Sequence, residues 1–101
     1  MNGKKELLIF KDKQTRILIA MLKQDKQWNI SDIAAFTGVT YVHTSRFINA
    51  CEKIGIINSE KHGRMKTISL TETGVKITEQ INGIIEAIKS KDNIPEKKIV
   101  I

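Results

Sequence analysis

A chain of 101 residues, 41% hydrophobic and 28% charged, can bury one hydrophobic core but not two, and is too apolar for wholesale disorder. Its longest apolar runs, Leu7-Leu8-Ile9-Phe10 and residues 17–22, fall far short of the roughly 20 residues of a membrane span; with no signal-peptide pattern at the N-terminus and a single cysteine, Cys51, unable to form an internal disulfide, a cytoplasmic protein is expected. The formal charge of +6 is concentrated in residues 1–71, while residues 72–101 are balanced, and a basic surplus of this kind suits an anionic polymer as partner.

In chain order, Asp12 is placed as the N-cap of a first helix that runs to about Gln24 and carries Ile17, Leu18, Met21 and Leu22 on one face. The preceding Leu7-Leu8-Ile9-Phe10 either extends this helix backwards or forms a separate strand or dimer contact. Trp28-Asn29-Ile30 reads as a short extended link, with Trp28 in the core. Ser31 is placed as the N-cap of a short second helix over residues 32–37, with Asp32 in the first turn where its charge suits the helix dipole. That helix is expected to bury Ile33, Ala34 and either Phe36 or Thr37, and to stop at a left-handed Gly38.

Val39 then returns to the core and Thr40 caps a third helix. Thr44, Phe47, Ile48 and Cys51 recur at i, i+3, i+4 and i+7 as its buried stripe, and Gly55 ends it. Two β-rich runs, 56–60 and 66–70, flank Lys61-His62-Gly63-Arg64-Met65, the pattern of a hairpin with a glycine in its loop. Thr71 caps a last helix over residues 72–90. There Ile77, Ile81, Ile84 and Ile88 are spaced by 4, 3 and 4 residues, with Val75 and Ile85 alongside, giving a coiled-coil-like seam longer than a small domain needs for itself. This points to dimerisation through Ile77, Ile81, Ile84, Ile85 and Ile88; packing back onto the first helix is the alternative. Residues 91–101 read as a tail, either frayed or docked as a short strand.

The segment SDIAAFTGVTYVHTSRFINACEK, residues 31–53, carries helix-turn-helix cues at their proper offsets. Ile33 is apolar, Ala34 is small where two helices cross, Gly38 sits at the turn, Val39 stands behind it and Phe47 locks the second helix. With the following KIGIINSEKHGRMKTISLTETG, the stretch 30–74 resembles winged-helix transcriptional regulators such as the MarR, ArsR and PadR families. The resemblance implies a mainly α fold with a small β-hairpin wing: a single domain over residues 1–90, comprising a helix-turn-helix at 31–54, a wing at 56–70 and a long C-terminal helix at 72–90. It also implies sequence-specific binding of double-stranded DNA by a homodimer; repression by promoter occupancy is expected from size, since 101 residues leave no room for a separate activation domain.

In such a protein the second helix of the motif enters the major groove and the first rests on the backbone. With Phe47, Ile48 and Cys51 turned inward, Thr40, Tyr41, His43, Arg46 and Asn49 are left facing outward. Arg46 is suited to guanine, Asn49 to adenine or a phosphate, and Thr40 with the helix N-terminus to a phosphate. Tyr41, Val42 and His43 are suited to thymine methyls or phosphates. Arg64, beside Gly63 at the wing tip, is placed to enter a minor groove, with Lys61 and Lys66 on the adjacent backbone. Each has a plainer reading: Arg46 as a solvated residue or a partner of Glu52, His43 and His62 as polar surface, Tyr41 packed on the preceding helix, and Cys51 as an inert buried thiol.

No glycine-rich phosphate loop, His/Cys cluster or nucleophile-base set stands out, so neither an enzyme nor a cofactor or metal is expected. A small-molecule effector is not identifiable. The competing reading from another class is a winged-helix protein-interaction module that never touches DNA, because fold alone does not decide function. RNA binding is more distant, since the few exposed aromatics make no stacking platform. The discriminating feature is whether Arg46, Arg64 and their neighbouring cations share one face.

Overall fold

The computed structural model describes residues 11–23 and 26–90, so Leu7–Phe10 and the tail at 91–101 lie outside the described residues. Among the described residues, four helices and a two-stranded antiparallel sheet follow one another as α1 (Asp12–Lys23), α2 (Ile30–Thr37), α3 (Tyr41–Lys53), β1 (Ile57–His62), β2 (Met65–Leu70) and α4 (Glu72–Ser90). This is the mainly helical, hairpin-bearing architecture expected. No helix among the described residues is long and apolar enough to cross a membrane.

The core is built from one side of every element. Ile17, Leu18 and Met21 of α1, Ile33 of α2, Phe47, Ile48 and Cys51 of α3, Ile57 and Ile68 of the hairpin and Ile81 of α4 are all buried, together with Trp28, Val39 and Ile56 from the connections. The apolar spacings on α1 and α3 therefore predict their inner faces well, although Leu22 is only half-buried. Thr44 completes the α3 stripe as expected and is fully buried, but no hydrogen bond engages its hydroxyl.

Two helix starts differ from expectation. Asp12 is the first residue of α1 and not its cap: the Lys11 carbonyl accepts the Thr15 N–H at 2.8 Å, and the Asp12 carboxylate instead pairs with Arg16 one turn on, at 3.1 Å. In α2 the cap is Asn29 in place of Ser31. Its side chain, on an extended backbone, accepts the Asp32 N–H at 2.8 Å. Asn and Ser cap equally well, and the choice is made by the residue before. Trp28 is held extended by a bridge to Ile68, whose N–H donates to the Trp28 carbonyl at 2.8 Å, so the chain is free to turn into a helix directly after it.

Elsewhere the turn chemistry is as read. Gly38 closes α2 with φ 76°, and Thr40 caps α3 by accepting the His43 N–H at 3.2 Å. Of the residues expected inside α2 only Ile33 is fully buried: Ala34 is half-buried, and of the Phe36/Thr37 pair it is Thr37 that is half-buried, while Phe36 stays 57% exposed, edge-on to Trp28 with ring centroids 5.6 Å apart. The hairpin loop is tighter than the five residues expected. Pairing continues to His62 and Met65, leaving Gly63 and Arg64 as a two-residue turn. Gly63 has φ 63° and Arg64 a negative φ, the signs of a type II′ turn, whose twist matches that of the strands.

The wing is tied to the body at its open end. Thr71 donates its backbone N–H to the Ile56 carbonyl at 2.9 Å and its hydroxyl to the Gly55 carbonyl at 2.6 Å. The same hydroxyl oxygen accepts the Gly74 N–H at 2.9 Å, capping α4 as expected. From there α4 runs back past α1. Ile81 is buried, and Ile77 and Ile85 pack against the core, whereas Ile84 and Ile88 stay 59% and 60% exposed.

Candidate nucleic-acid interface

The start of α3 is fixed by the Thr40 cap, and its inner face by Phe47, Ile48 and Cys51. Helical geometry then determines what is left outside. Tyr41, Val42, Arg46 and Asn49 are exposed, while His43 is half-buried and its Nε2 is buried without a partner. Among the described residues no ion pair or hydrogen bond engages the Arg46 guanidinium. The expected alternative, pairing with Glu52, does not form, because that carboxylate is taken by Ser59 and Lys66. Thr40 already accepts one backbone N–H through its side chain, and its hydroxyl proton remains available to a phosphate.

The wing presents a second set of cations. Arg64 is at the exposed tip, in the turn, and likewise has no partner among the described residues. Lys61 and Lys66 stand directly opposite each other across the hairpin, an arrangement that opposes folding through like-charge repulsion. Glu52 relieves half of it by pairing with Lys66 at 3.6 Å. His62 lies 3.8 Å from Glu60 on the outer side of β1.

Of the first set Tyr41 alone joins Arg64 and Lys66 of the second around a cleft of about 340 Å3. Its walls are the first turn of α2 (Asn29 to Asp32), Tyr41 at the head of α3, and Arg64, Met65 and Lys66 of the wing. The folding thus brings Tyr41, Arg64 and Lys66 onto one face with the α2 N-terminus. It leaves Thr40, His43, Arg46, Asn49 and Lys61 outside the cleft lining. Sequence reasoning gives Met65 no role at this site and gives Ser31 only that of a cap; with Asn29 in that role, Ser31 is exposed in the first turn of α2 on the cleft. Asp32 is the one anion in the lining, and Lys26 stands 3.9 Å from it. An open cleft lined by a helix N-terminus and two wing cations can grip a phosphate backbone.

Cys51 has no part in this face. It is fully buried in the α3 stripe, and desolvation pushes its thiol up to about 12, so at neutral pH it is a protonated, unreactive packing group. Among the described residues no group of three or more His, Cys, Asp or Glu side chains is arranged to hold a metal ion.

Comparison with known proteins matches no family model. A protein of Archaeoglobus fulgidus without an assigned role is 29% identical over 93 residues, covering 89% of this chain and 98% of its own. Among solved structures, AF1382 of the same organism superposes with a TM-score of 0.74 at 29% identity, over 86% of this chain and 97% of its own. MepR, a transcription regulator of the Staphylococcus aureus multidrug efflux pump MepA, superposes with a TM-score of 0.77 at 21% identity, over 95% of this chain and 74% of its own. ZitR of Lactococcus lactis gives 0.71 at 19% identity, over 82% of this chain and 57% of its own. With its helix-turn-helix, its hairpin and its long last helix laid out as in these proteins, the chain has the winged-helix fold.

Proposed function

We propose that this chain binds double-stranded DNA in a sequence-specific manner and acts as a dimeric transcriptional repressor. The observation that carries the reading is the shared face: Tyr41, Arg64 and Lys66 line one cleft with the start of α2, beside a reader helix whose Arg46 and Asn49 are exposed. A MepR variant of the same fold, with a TM-score of 0.72, has been solved bound to an oligodeoxyribonucleotide, which supports DNA as the partner. In this reading α3 enters the major groove, Arg46 reads guanine, Asn49 reads adenine or a phosphate, and Arg64 reaches the minor groove. Thr40, Tyr41, His43, Lys61 and Lys66 then contact the backbone or thymine methyls.

The test is a fluorescence-anisotropy titration against mixed-sequence duplex DNA at low and moderate salt, followed by selection of the preferred site from a random pool. Affinity is expected to fall linearly with salt on logarithmic axes. Arg46→Ala is expected to cost about 1–3 kcal/mol on the selected site and to relax the preference at one base pair, whereas Arg64→Ala lowers affinity and flattens the salt slope by about one ion. Equal, sequence-blind losses from both removes base reading from Arg46. Absence of binding at low salt favours the protein-interaction module.

Dimerisation rests on α4. Ile77, Ile81 and Ile85 are turned to the chain's own core, which leaves Ile84 and Ile88 exposed on the last turns. A two-fold dimer through this end of α4 pairs two reader helices with half-sites one helical turn apart. Sedimentation equilibrium is expected to return twice the 11.4 kDa chain mass, reverting to one chain mass with Ile84→Lys and Ile88→Lys together. A monomeric wild-type chain at micromolar concentration removes the dimer.

A further inference from the structure

One anion occupies a place where a DNA-binding face has no electrostatic use for it. Glu52 lies in the last turn of α3, half-buried, and its carboxylate reaches both strands of the wing. Oε2 accepts a hydrogen bond from Ser59 Oγ on β1, and Oε1 stands 3.6 Å from Lys66 Nζ on β2. The open end of the hairpin is fixed by the Thr71 bonds to Gly55 and Ile56 and by Ile57 and Ile68 in the core. Beyond that end, the outer edge of β2 is held by the bridge between Trp28 and Ile68, and Glu52 ties Ser59 and Lys66 to the reader helix. Among the described residues, Glu52 is thus the side-chain tie nearest the tip that links the wing to the helix carrying Arg46, and it bears on how far Arg64 projects ahead of that residue.

We propose that Glu52 is a positioning residue that sets the wing against the reader helix, so that Arg46 and Arg64 engage one duplex in a single register. The proposal rests on the DNA-binding reading above. It makes a prediction opposite in sign to charge alone. Removing an anion from a basic surface strengthens attraction to any DNA, whereas loosening the wing weakens only the site that needs both arginines at once.

The experiment measures binding of the full chain and its variants to mixed-sequence duplex and to the duplex selected by the wild type. Glu52→Ala is expected to bind mixed sequence as tightly as the wild type or tighter, and the selected duplex about tenfold more weakly. In the Glu52→Ala background, Arg64→Ala is expected to cost several-fold less than in the wild type, because the arginine is no longer held in place. Glu52→Gln, which keeps an acceptor for Ser59 and loses the ion pair, restores part of the selectivity. Equal tightening on both duplexes, with Arg64→Ala costing the same in both backgrounds, overturns the proposal while leaving DNA binding intact. Failure of the wild type to bind either duplex overturns both. Should Glu52→Ala melt out, Ser59→Ala, which deletes one hydrogen bond and no charge, is expected to leave mixed-sequence binding unchanged and to weaken the selected duplex, and equal binding of both duplexes to the wild-type level overturns the proposal.

Discussion

Gly74→Ala is expected to destabilise the fold by about 3 kcal/mol or more, lowering the melting temperature by about 12 °C or more. The reason is a backbone approach and not a special dihedral. A Cβ at Gly74 falls 2.1 Å from the Ile56 carbonyl oxygen and 3.0 Å from its carbon. That carbonyl has no room to retreat: it accepts the Thr71 N–H at 2.9 Å, and its own residue's N–H is anchored to the Cys51 carbonyl, also at 2.9 Å. Relief requires α4 to part from the exit of α3, which breaks the Thr71 cap as well. Thermal melting followed by circular dichroism checks this, and an unchanged midpoint shows that the two segments do not touch.

The second large effect is at Phe47→Ala, where a loss of about 3–5 kcal/mol is expected. Phe47 is buried on the inner face of α3 between the stripe residues Thr44 and Cys51, directly behind Arg46. Truncation leaves a cavity that a rigid three-helix packing closes only partly. Urea unfolding is expected to show a lower midpoint with an unchanged slope. Tyr41→Ala, on the exposed face of the same helix, is expected within about 0.5 kcal/mol of the wild type. Equal losses at the two positions contradict the assignment of inner and outer faces.

The contrast between those two residues shows what could be read in advance. The α3 stripe was legible because a helix with a periodic apolar face has only one way to turn, and Thr40 and Gly38 fix its ends locally. Thr71 was legible for the same reason. The caps of α1 and α2 were misplaced by one and two residues, because several good capping side chains stand in a row and the choice among them is tertiary: the bridge from Trp28 to Ile68 decides it for α2. Phe36 is apolar and one turn on from Ile33, yet it stays exposed at the end of α2 because Trp28 fills the core beside it and leaves the Phe36 ring only an edge contact. At the candidate site, the cations themselves were visible as charge. Their grouping was not, since the cleft joins residues near 30, 41 and 65, and the partnership of Glu52 with Ser59 and Lys66 has no local signature at all.

The bridge between Trp28 and Ile68 also bears on how the molecule assembles. Each helix and the hairpin form from neighbouring residues, and such contacts arise quickly. This contact instead closes a loop that contains the whole helix-turn-helix, and its entropic cost must be met before the strand can dock. A slower folding limb with an unchanged unfolding limb is the expected signature, in stopped-flow traces of Trp28 fluorescence, of a variant that lengthens the segment between Trp28 and Ile68.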